Sequence, residues 1–461
     1  MTIKFGTDGW RAVIADEFTF SNVRRVTQAI ANYLSTPGKI VVGYDNRFLA
    51  PEFARTAAEV MAANGFQIHL SVEAVPTPVV AWGVRELRAL GAIMLTASHN
   101  PPHYAGLKFI PHYAGPALPD VTSAIEEEIS RVQGVVPLES LRGEIKAWQP
   151  RRDYLDYLKS LIDFSALRSC PLKAVVDPLY GAGIGYVEEF LQEAGWRVKA
   201  IHNWRDPLFG GSLPDPSARG LQGLSQEVKA TGSHLGLALD GDADRFGVVD
   251  ADGTYFTANQ VLRLLLEYLV EKRGFRGPVA RTVATTHGLD RIASQWGFEV
   301  IETPVGFKYI GQALREKGCI LGGEESGGLS IKGHVPEKDG ILACLLVAEM
   351  RAVEGEDLKG ILGRLEEKYG PLDSRRFDLQ LSPAQKARVL EKLARWEPSA
   401  IGGLAVEGKI TIDGVKFLLQ GGSWCLLRPS GTEPVVRLYI EAPESQVLER
   451  IRQALMGELG L

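Results

Sequence analysis

Apolar and polar positions repeat one unit three times along the chain. KIVVGYD (39–45) is a short β-branched run, PEFARTAAEVMAANG (51–65) carries apolar positions at helical spacing and ends in glycine, and FQIHLSV is apolar again. The same strand, helix, strand order returns as LKAVVDPLYGAG, YVEEFLQEAG and WRVKAI, and once more as VARTVATTHG, LDRIASQWG and FEVIET. Gly65, Gly195 and Gly297 end the three helices. After a further helical stretch each unit runs into an apolar strand that breaks off in a polar loop: GAIMLTASHNP, LGLALDGDADR and GCILGGEESGG. Right-handed helical crossovers put the C-terminal ends of parallel strands on one sheet edge, where α/β sheets bind ligands. The pattern therefore predicts three equivalent loops facing one cleft.

The last ninety or so residues differ. GPLDSRRFDLQLSPAQKARVLEKLA and WCLLRPSGTEPVVRLYIEAPESQVLERIRQAL combine strand and amphipathic-helix patterns of an α+β unit. The expected architecture is α/β: three similar α/β domains with mixed sheets at 1–150, 151–252 and 253–370, followed by a smaller α+β C-terminal domain at 371–461, arranged around a central cleft.

Length and composition agree with several globular domains. At 461 residues the chain exceeds a single core. A net charge of −5 gives no global reason to bind nucleic acid or an anionic membrane, so any anion site must be local. Cys170, Cys319, Cys344 and Cys425 contain no C-x-x-C pair, which argues against a disulfide framework or zinc. MTIKFGTDGWRAVIADEF has no apolar signal core and no run approaches the roughly 18 apolar residues of a membrane span. A cytoplasmic protein, monomeric or homodimeric, is expected.

The loops carry the candidate chemistry. In TASHNP, Ser98 stands beside His99, but adjacent side chains of an extended loop point apart and no G-x-S-x-G elbow is present, so a serine hydrolase is not indicated. In DGDADR, Asp240, Asp242 and Asp244 at spacing two place three carboxylates on one side, where they repel unless a cation neutralises them. Mg²⁺ suits hard oxygen ligands. An EF-hand is excluded by Arg245 and Ala251 at its sixth and twelfth positions. A competing reading makes Asp240 a phosphorylated nucleophile with Asp242 as its acid, as in haloacid-dehalogenase-type phosphatases; it leaves Ser98 without a role. RPSGTEP (428–434) offers the Arg428 guanidinium and hydroxyls around a glycine turn, a combination suited to a phosphate dianion. GGEESGG (322–328) lets backbone approach a ligand while Glu324 and Ser326 bond hydroxyls, as a sugar would require. GAGIG (181–185) lacks the full dinucleotide spacing and no Walker A sequence is present.

TASHNP, DGDADR, GEESGG and RPSGTEP, in this order and following FGTDGWR at 5–11, resemble the α-D-phosphohexomutases over the whole chain. The resemblance implies an enzyme that interconverts hexose 1-phosphate and hexose 6-phosphate through a phosphoserine and a hexose 1,6-bisphosphate intermediate, with Mg²⁺ as cofactor and a small phosphosugar as its only implied partner. Ser98 would carry the phosphoryl group, and Ser98, Asp240, Asp242 and Asp244 would hold the metal. Lys108, His99 and Arg245 would complete the catalytic set. Asp8, Arg11, Lys308, Glu324, Ser326, Arg428, Ser430, Gly431 and Thr432 would bind substrate. Gly328 stands where broad-hexose and glucosamine members often have histidine, and TPVGFK and EKDG (337–340) are similar to the phosphoglucomutase branch. Glucose is therefore the expected hexose, with mannose next; a phosphoglucosamine mutase or a non-catalytic phosphosugar-binding regulator are the alternatives. Lys108, His287 and Lys308 are the candidates for general base.

Overall fold

The computed structural model describes residues 3–6, 8–137, 142–429 and 435–460. Among these residues the chain forms four sheets. The first contains β1 (Trp10–Val13), β2 (Lys39–Tyr44), β3 (Gln67–Ser71), β4 (Gly91–Leu95), β5 (Tyr104–Pro111) and β6 (Glu144–Trp148) in the order β1-β5-β4-β2-β3-β6. The second contains β7 (Lys173–Asp177), β8 (Arg197–Ala200), β9 (Leu235–Leu239), β10 (Phe246–Asp250) and β11 (Tyr255–Phe256) in the order β11-β10-β9-β7-β8. The third is β13-β12-β14-β15, from β12 (Val279–Thr282), β13 (Val300–Thr303), β14 (Leu321–Gly323) and β15 (Leu329–Ile331).

Each of these sheets is built on the same three parallel strands: β3-β2-β4, β8-β7-β9 and β13-β12-β14. They are the three recurring units of the sequence. Every residue of β4 and β9 is buried, which is why GAIML and LGLAL read as continuous apolar runs rather than as alternations. In each sheet the third parallel strand turns back as an antiparallel neighbour, pairing Leu95 with Leu107, Leu239 with Phe246 and Gly323 with Leu329. The three polar loops are therefore equivalent hairpin turns, and the sheets are mixed, as expected.

The fourth sheet is antiparallel throughout: β16 (Asp373–Gln380), β17 (Ala400–Ile401), β18 (Leu404–Ile410), β19 (Val415–Leu419), β20 (Ser423–Pro429) and β21 (Val435–Ala442), ordered β16-β21-β20-β19-β18-β17. Helices Pro383–Arg395 and Ser445–Leu459 bury Val389, Leu393, Leu448, Ile451 and Leu455 in one core with Phe417, Leu427 and Leu438, giving the expected α+β unit. This unit docks on the third through an apolar patch of Val283, Ala284, Trp424, Leu426 and Tyr439. Beside the patch, buried Lys416 donates to the Val283 carbonyl at 2.9 Å and pairs with Glu302 at 2.8 Å. Among the described residues no helix is long and apolar enough to cross a membrane.

Candidate active site

The hairpin turns of the first two sheets touch because Gly241 has no side chain. A β-carbon there would lie 2.5 Å from the Ser98 carbonyl oxygen. Ser98 is buried and left-handed at φ 50°, a conformation that costs an L-residue about 1–2 kcal/mol. Its Oγ donates to Asp240 Oδ2 at 2.8 Å. Asp240 Oδ1 accepts the N–H groups of Asp244 and Arg245 at 3.0 and 3.1 Å. Both oxygens of Asp240 are thus engaged, which disfavours Asp240 as an attacking nucleophile. His99 Nδ1 lies 3.2 Å from Ser98 Oγ, but the Arg245 charge and burial hold the ring well below its usual range, so it is neutral.

Asp240, Asp242 and Asp244 are buried, and one oxygen of each lies within 4.8 Å of the others. Burial together with Asp242 and Asp244 pushes the Asp240 carboxyl well above the carboxylate range. Burial acts the same way on Asp242, but the Lys108 ammonium and the Thr77 hydroxyl outweigh it and pull that group down. Thr77 Oγ1 donates to Asp242 Oδ2 at 2.6 Å. Among the described residues Asp242 Oδ1 and Asp244 Oδ1 are buried with no hydrogen-bond partner. Three buried carboxylates with two unbonded oxygens form a donor set that fits a hard divalent cation such as Mg²⁺.

Two lysines flank the aspartates. Lys108 Nζ lies 2.9 Å from Asp242, 3.0 Å from Asp244 and 2.8 Å from Asp8. Antiparallel pairing of β1 with β5 sets Trp10 opposite Leu107 and so carries Asp8 and Arg11 to this point. Arg11 donates to Asn100 Oδ1 at 2.6 Å and lies 3.6 Å from Asp8. Lys338 Nζ lies 3.0 Å from Asp244 and 3.3 Å from both Asp8 and Glu337. Burial opposes the charge of both lysines, but the surrounding carboxylates prevail and raise both above the usual lysine range. Both lysines are cations among these carboxylates.

The third hairpin turn joins the second through a hydrogen bond from the Phe246 N–H to the Gly327 carbonyl, 3.2 Å. Burial and neighbouring Glu325 push Glu324 up to about 7, and its Oε1 accepts the Gly306 N–H at 3.0 Å. Ser326 is half-buried on the same turn.

Family descriptions match the chain in sequence order. Phosphoglucomutase/phosphomannomutase alpha/beta/alpha domains I, II and III cover residues 2–134, 152–253 and 257–369, and the C-terminal domain of that family covers 374–458. The chain belongs to the phosphoglucomutase/phosphomannomutase family. Members of this family are isomerases that transfer phosphoryl groups. A phosphoglucomutase/phosphomannomutase of Thermococcus kodakarensis is 30% identical, over 99% of this chain and 97% of the relative. A protein of Pyrococcus horikoshii assigned as a phosphoglucosamine mutase is 31% identical, over 97% of this chain and 95% of its own length. A crystal structure assigned as a phosphomannomutase from Thermus thermophilus superposes over the whole of both chains with a TM-score of 0.87 at 35% identity.

Within this phosphoglucomutase/phosphomannomutase fold, the residues brought together are Asp8, Arg11, Ser98, His99, Lys108, the three aspartates and Arg245. Lys308, the second residue of helix Phe307–Lys317, lines a groove with Tyr113 and Pro336, and the Asp8 carboxylate acts on its charge. Arg428 belongs to the fourth unit, where Nε donates to Asp413 Oδ2 at 2.8 Å, and the same oxygen accepts the Val305 N–H at 3.0 Å. Ser430, Gly431 and Thr432 lie outside the described residues. His287 is no base: its Nε2 stands 2.7 Å from Lys416 Nζ, its ring packs against Trp424, and burial and Arg281 lower its basicity. Thr77, Glu337 and Lys338 were not expected as site residues. Thr77 sits in an ordinary helix start, whereas Lys338 lies in the EKDG run that reads only as a branch marker.

Proposed function

We propose that the chain interconverts glucose 1-phosphate and glucose 6-phosphate, with Ser98 carrying the transferred phosphoryl group. The observation that carries this reading is the Ser98 Oγ held 2.8 Å from Asp240 inside a buried aspartate triad. A serine in that place enters the reaction already phosphorylated, so in the first transfer it is the leaving group and needs no adjacent base to make it a nucleophile. A phosphoserine bears nearly two negative charges, so it loses its phosphoryl group only where cations offset the charge of the transfer. Lys108, Lys338 and Arg245 supply fixed positive charge there. Mg²⁺ held by Asp240, Asp242, Asp244 and the phosphoserine would add electrostatic stabilisation of that charge.

In the proposed reaction the 6-hydroxyl oxygen of glucose 1-phosphate bonds to the phosphorus, the bond from phosphorus to Ser98 Oγ breaks, and the hydroxyl proton passes to the departing Ser98 Oγ. The 1,6-bisphosphate reverses its orientation, Ser98 Oγ bonds to the phosphorus of the 1-phosphate as the bond to the sugar O1 breaks, and the serine proton passes to that O1. Glu324 and Ser326 bond sugar hydroxyls in either orientation, and Arg428 holds whichever phosphate is not being transferred.

Relatives near 30% identity divide between phosphoglucomutase/phosphomannomutase and phosphoglucosamine mutase. The sugar loop favours glucose. A β-carbon at Gly328 would lie 3.1 Å from Lys338 Cδ and 3.2 Å from Phe307, so Lys338 takes the space a histidine would need. A coupled assay with the 1-phosphates of glucose, mannose and N-acetylglucosamine, with Mg²⁺ and a trace of glucose 1,6-bisphosphate, tests this. Glucose should give the highest kcat/KM. Preference for the amino sugar contradicts the substrate, and absence of any turnover favours a binding protein.

A further inference from the structure

We propose that Asp45, Asn46 and Arg47 form a clasp that sets the Ser98 loop against the Asp240–Asp244 loop, with Arg47 as a positioning residue for phosphoryl transfer. The inference rests on the function proposed above only for its kinetic consequence; its geometry stands apart.

The three residues follow β2 at the sheet edge where the hairpin turns lie. Arg47 is fully buried, and its five guanidinium N–H groups meet five acceptors. One terminal nitrogen donates to the Ser98 and Asn100 carbonyls at 2.5 and 2.7 Å. The other donates to the Pro101 and Tyr104 carbonyls at 2.8 and 3.0 Å. Nε donates to Asp45 Oδ2 at 3.1 Å. Four carbonyls of one loop thus converge on a single side chain. Asp45 Oδ2 also accepts the Thr96 hydroxyl at 2.6 Å, and Thr96 Oγ1 accepts the Ser98 N–H at 2.9 Å. The left-handed turn at Ser98 is therefore held from its carbonyl side by Arg47 and from its N–H side by Thr96.

Asn46 faces the other unit. Its Nδ2 donates to the Tyr180 and Gly181 carbonyls, both at 2.8 Å. Gly181 in turn lies against the aspartate loop, where a β-carbon would stand 2.8 Å from the Asp240 and Gly241 carbonyl oxygens. The Arg47 guanidinium also lies 5.0 Å from the centre of the Phe209 ring, in the same second unit. Consecutive residues therefore grip both sides of the junction across which Ser98 meets Asp240.

Burying a guanidinium is costly, and apolar packing would fill the space as well if the loop needed only a core. What an apolar side chain cannot do is hold four carbonyls in a fixed relation. Lysine cannot do it either, since it offers a point charge instead of a planar fork. A displacement of about 1 Å at reacting atoms costs on the order of 100-fold in rate.

The test measures Arg47→Lys, Asn46→Ala, and the pair Thr96→Val and Thr96→Ser. Arg47→Lys should lower kcat by at least about 30-fold while KM for glucose 1-phosphate stays within about threefold. Asn46→Ala should cost about tenfold in kcat, again with little change in KM. Amides of residues 96–104 should exchange faster in Arg47→Lys, with exchange in β2 and β4 unchanged. An Arg47→Lys protein with wild-type kcat, or with unchanged exchange at 96–104, overturns the clasp. If Arg47→Lys does not fold, the threonine pair decides: Thr96→Val must lose kcat and protection and Thr96→Ser must restore both, whereas equal behaviour overturns it. If the wild type turns over no hexose phosphate, the functional reading fails and the exchange measurement alone judges the clasp.

Discussion

Ser98 Oγ and Asp240 Oδ2 are separated by 142 residues of chain and joined by a 2.8 Å hydrogen bond. The partner adjacent in sequence, His99, lies farther away at 3.2 Å and is neutral. The hydroxyl thus pairs with the aspartate triad in place of the histidine, the arrangement on which the proposed phosphoryl-carrier role rests.

The sugar loop gives one prediction. Gly328→His drives a side chain into Lys338 and Phe307, where even a β-carbon would lie at 3.1 and 3.2 Å. Lys338 would be displaced from Asp8 and Asp244, and kcat/KM for glucose 1-phosphate should fall about 100-fold or more. Steady-state kinetics on the variant check this; loss of less than about threefold shows that Lys338 does not need the space.

Arg428 gives a second. Charge-assisted contacts contribute about 1.5–3 kcal/mol, so Arg428→Ala should cost roughly 10-fold to 150-fold in kcat/KM. Because the non-transferred phosphate changes end between half-reactions, the loss should be similar in both directions. Asp413→Asn tests the link to the third unit: it weakens the oxygen shared by Arg428 and the Val305 N–H, and a loss of about threefold to tenfold is expected.

The recurring α/β units could be read from the sequence because strands such as β4, β9 and β12 are buried along their whole length and the helices end in glycine, features that depend on local spacing. The aspartate triad and Ser98 could be read for a related reason, since each sits where an apolar strand stops. Thr77 could not, because its contact with Asp242 arises from packing between separate sheets and leaves no mark on the surrounding VPTP. Arg47 was missed in the same way, as nothing in GYDNR shows which carbonyls it binds. Lys338 stood in a recognised run, but its role depends on the space left by Gly328, ten residues earlier in sequence. His287 misled because an isolated histidine in a loop looks like a base until Lys416 and Trp424 are seen to enclose it.

The junction of the third and fourth units predicts a pH effect. Burial and Arg281 push Lys416 down to about 8, with Glu302 only partly opposing them. The unfolded chain keeps this proton up to about pH 10.4, so between roughly pH 8 and 10 the unfolded state holds a proton that the folded protein has shed. Stability from this group must therefore rise with pH across that window, by up to ~3 kcal/mol. Lys416→Met removes the titrating group while Arg281 still pairs with Glu302 at 2.6 Å. Melting curves from pH 7 to 10 should show wild type gaining on the variant as pH rises; parallel curves contradict the assignment.

The central claim is that Ser98 carries the phosphoryl group, and intact-mass spectrometry tests it most directly. Incubated with glucose 1,6-bisphosphate and Mg²⁺, the wild type should gain about 80 Da, the mass of one phosphoryl group, and should lose it on transfer to added glucose 1-phosphate. Ser98→Ala should show neither change and retain less than about one part in a thousand of the mutase activity. An Ser98→Ala protein that still gains the 80 Da, or that turns over within tenfold of wild type, would place the phosphoryl carrier elsewhere and contradict the account.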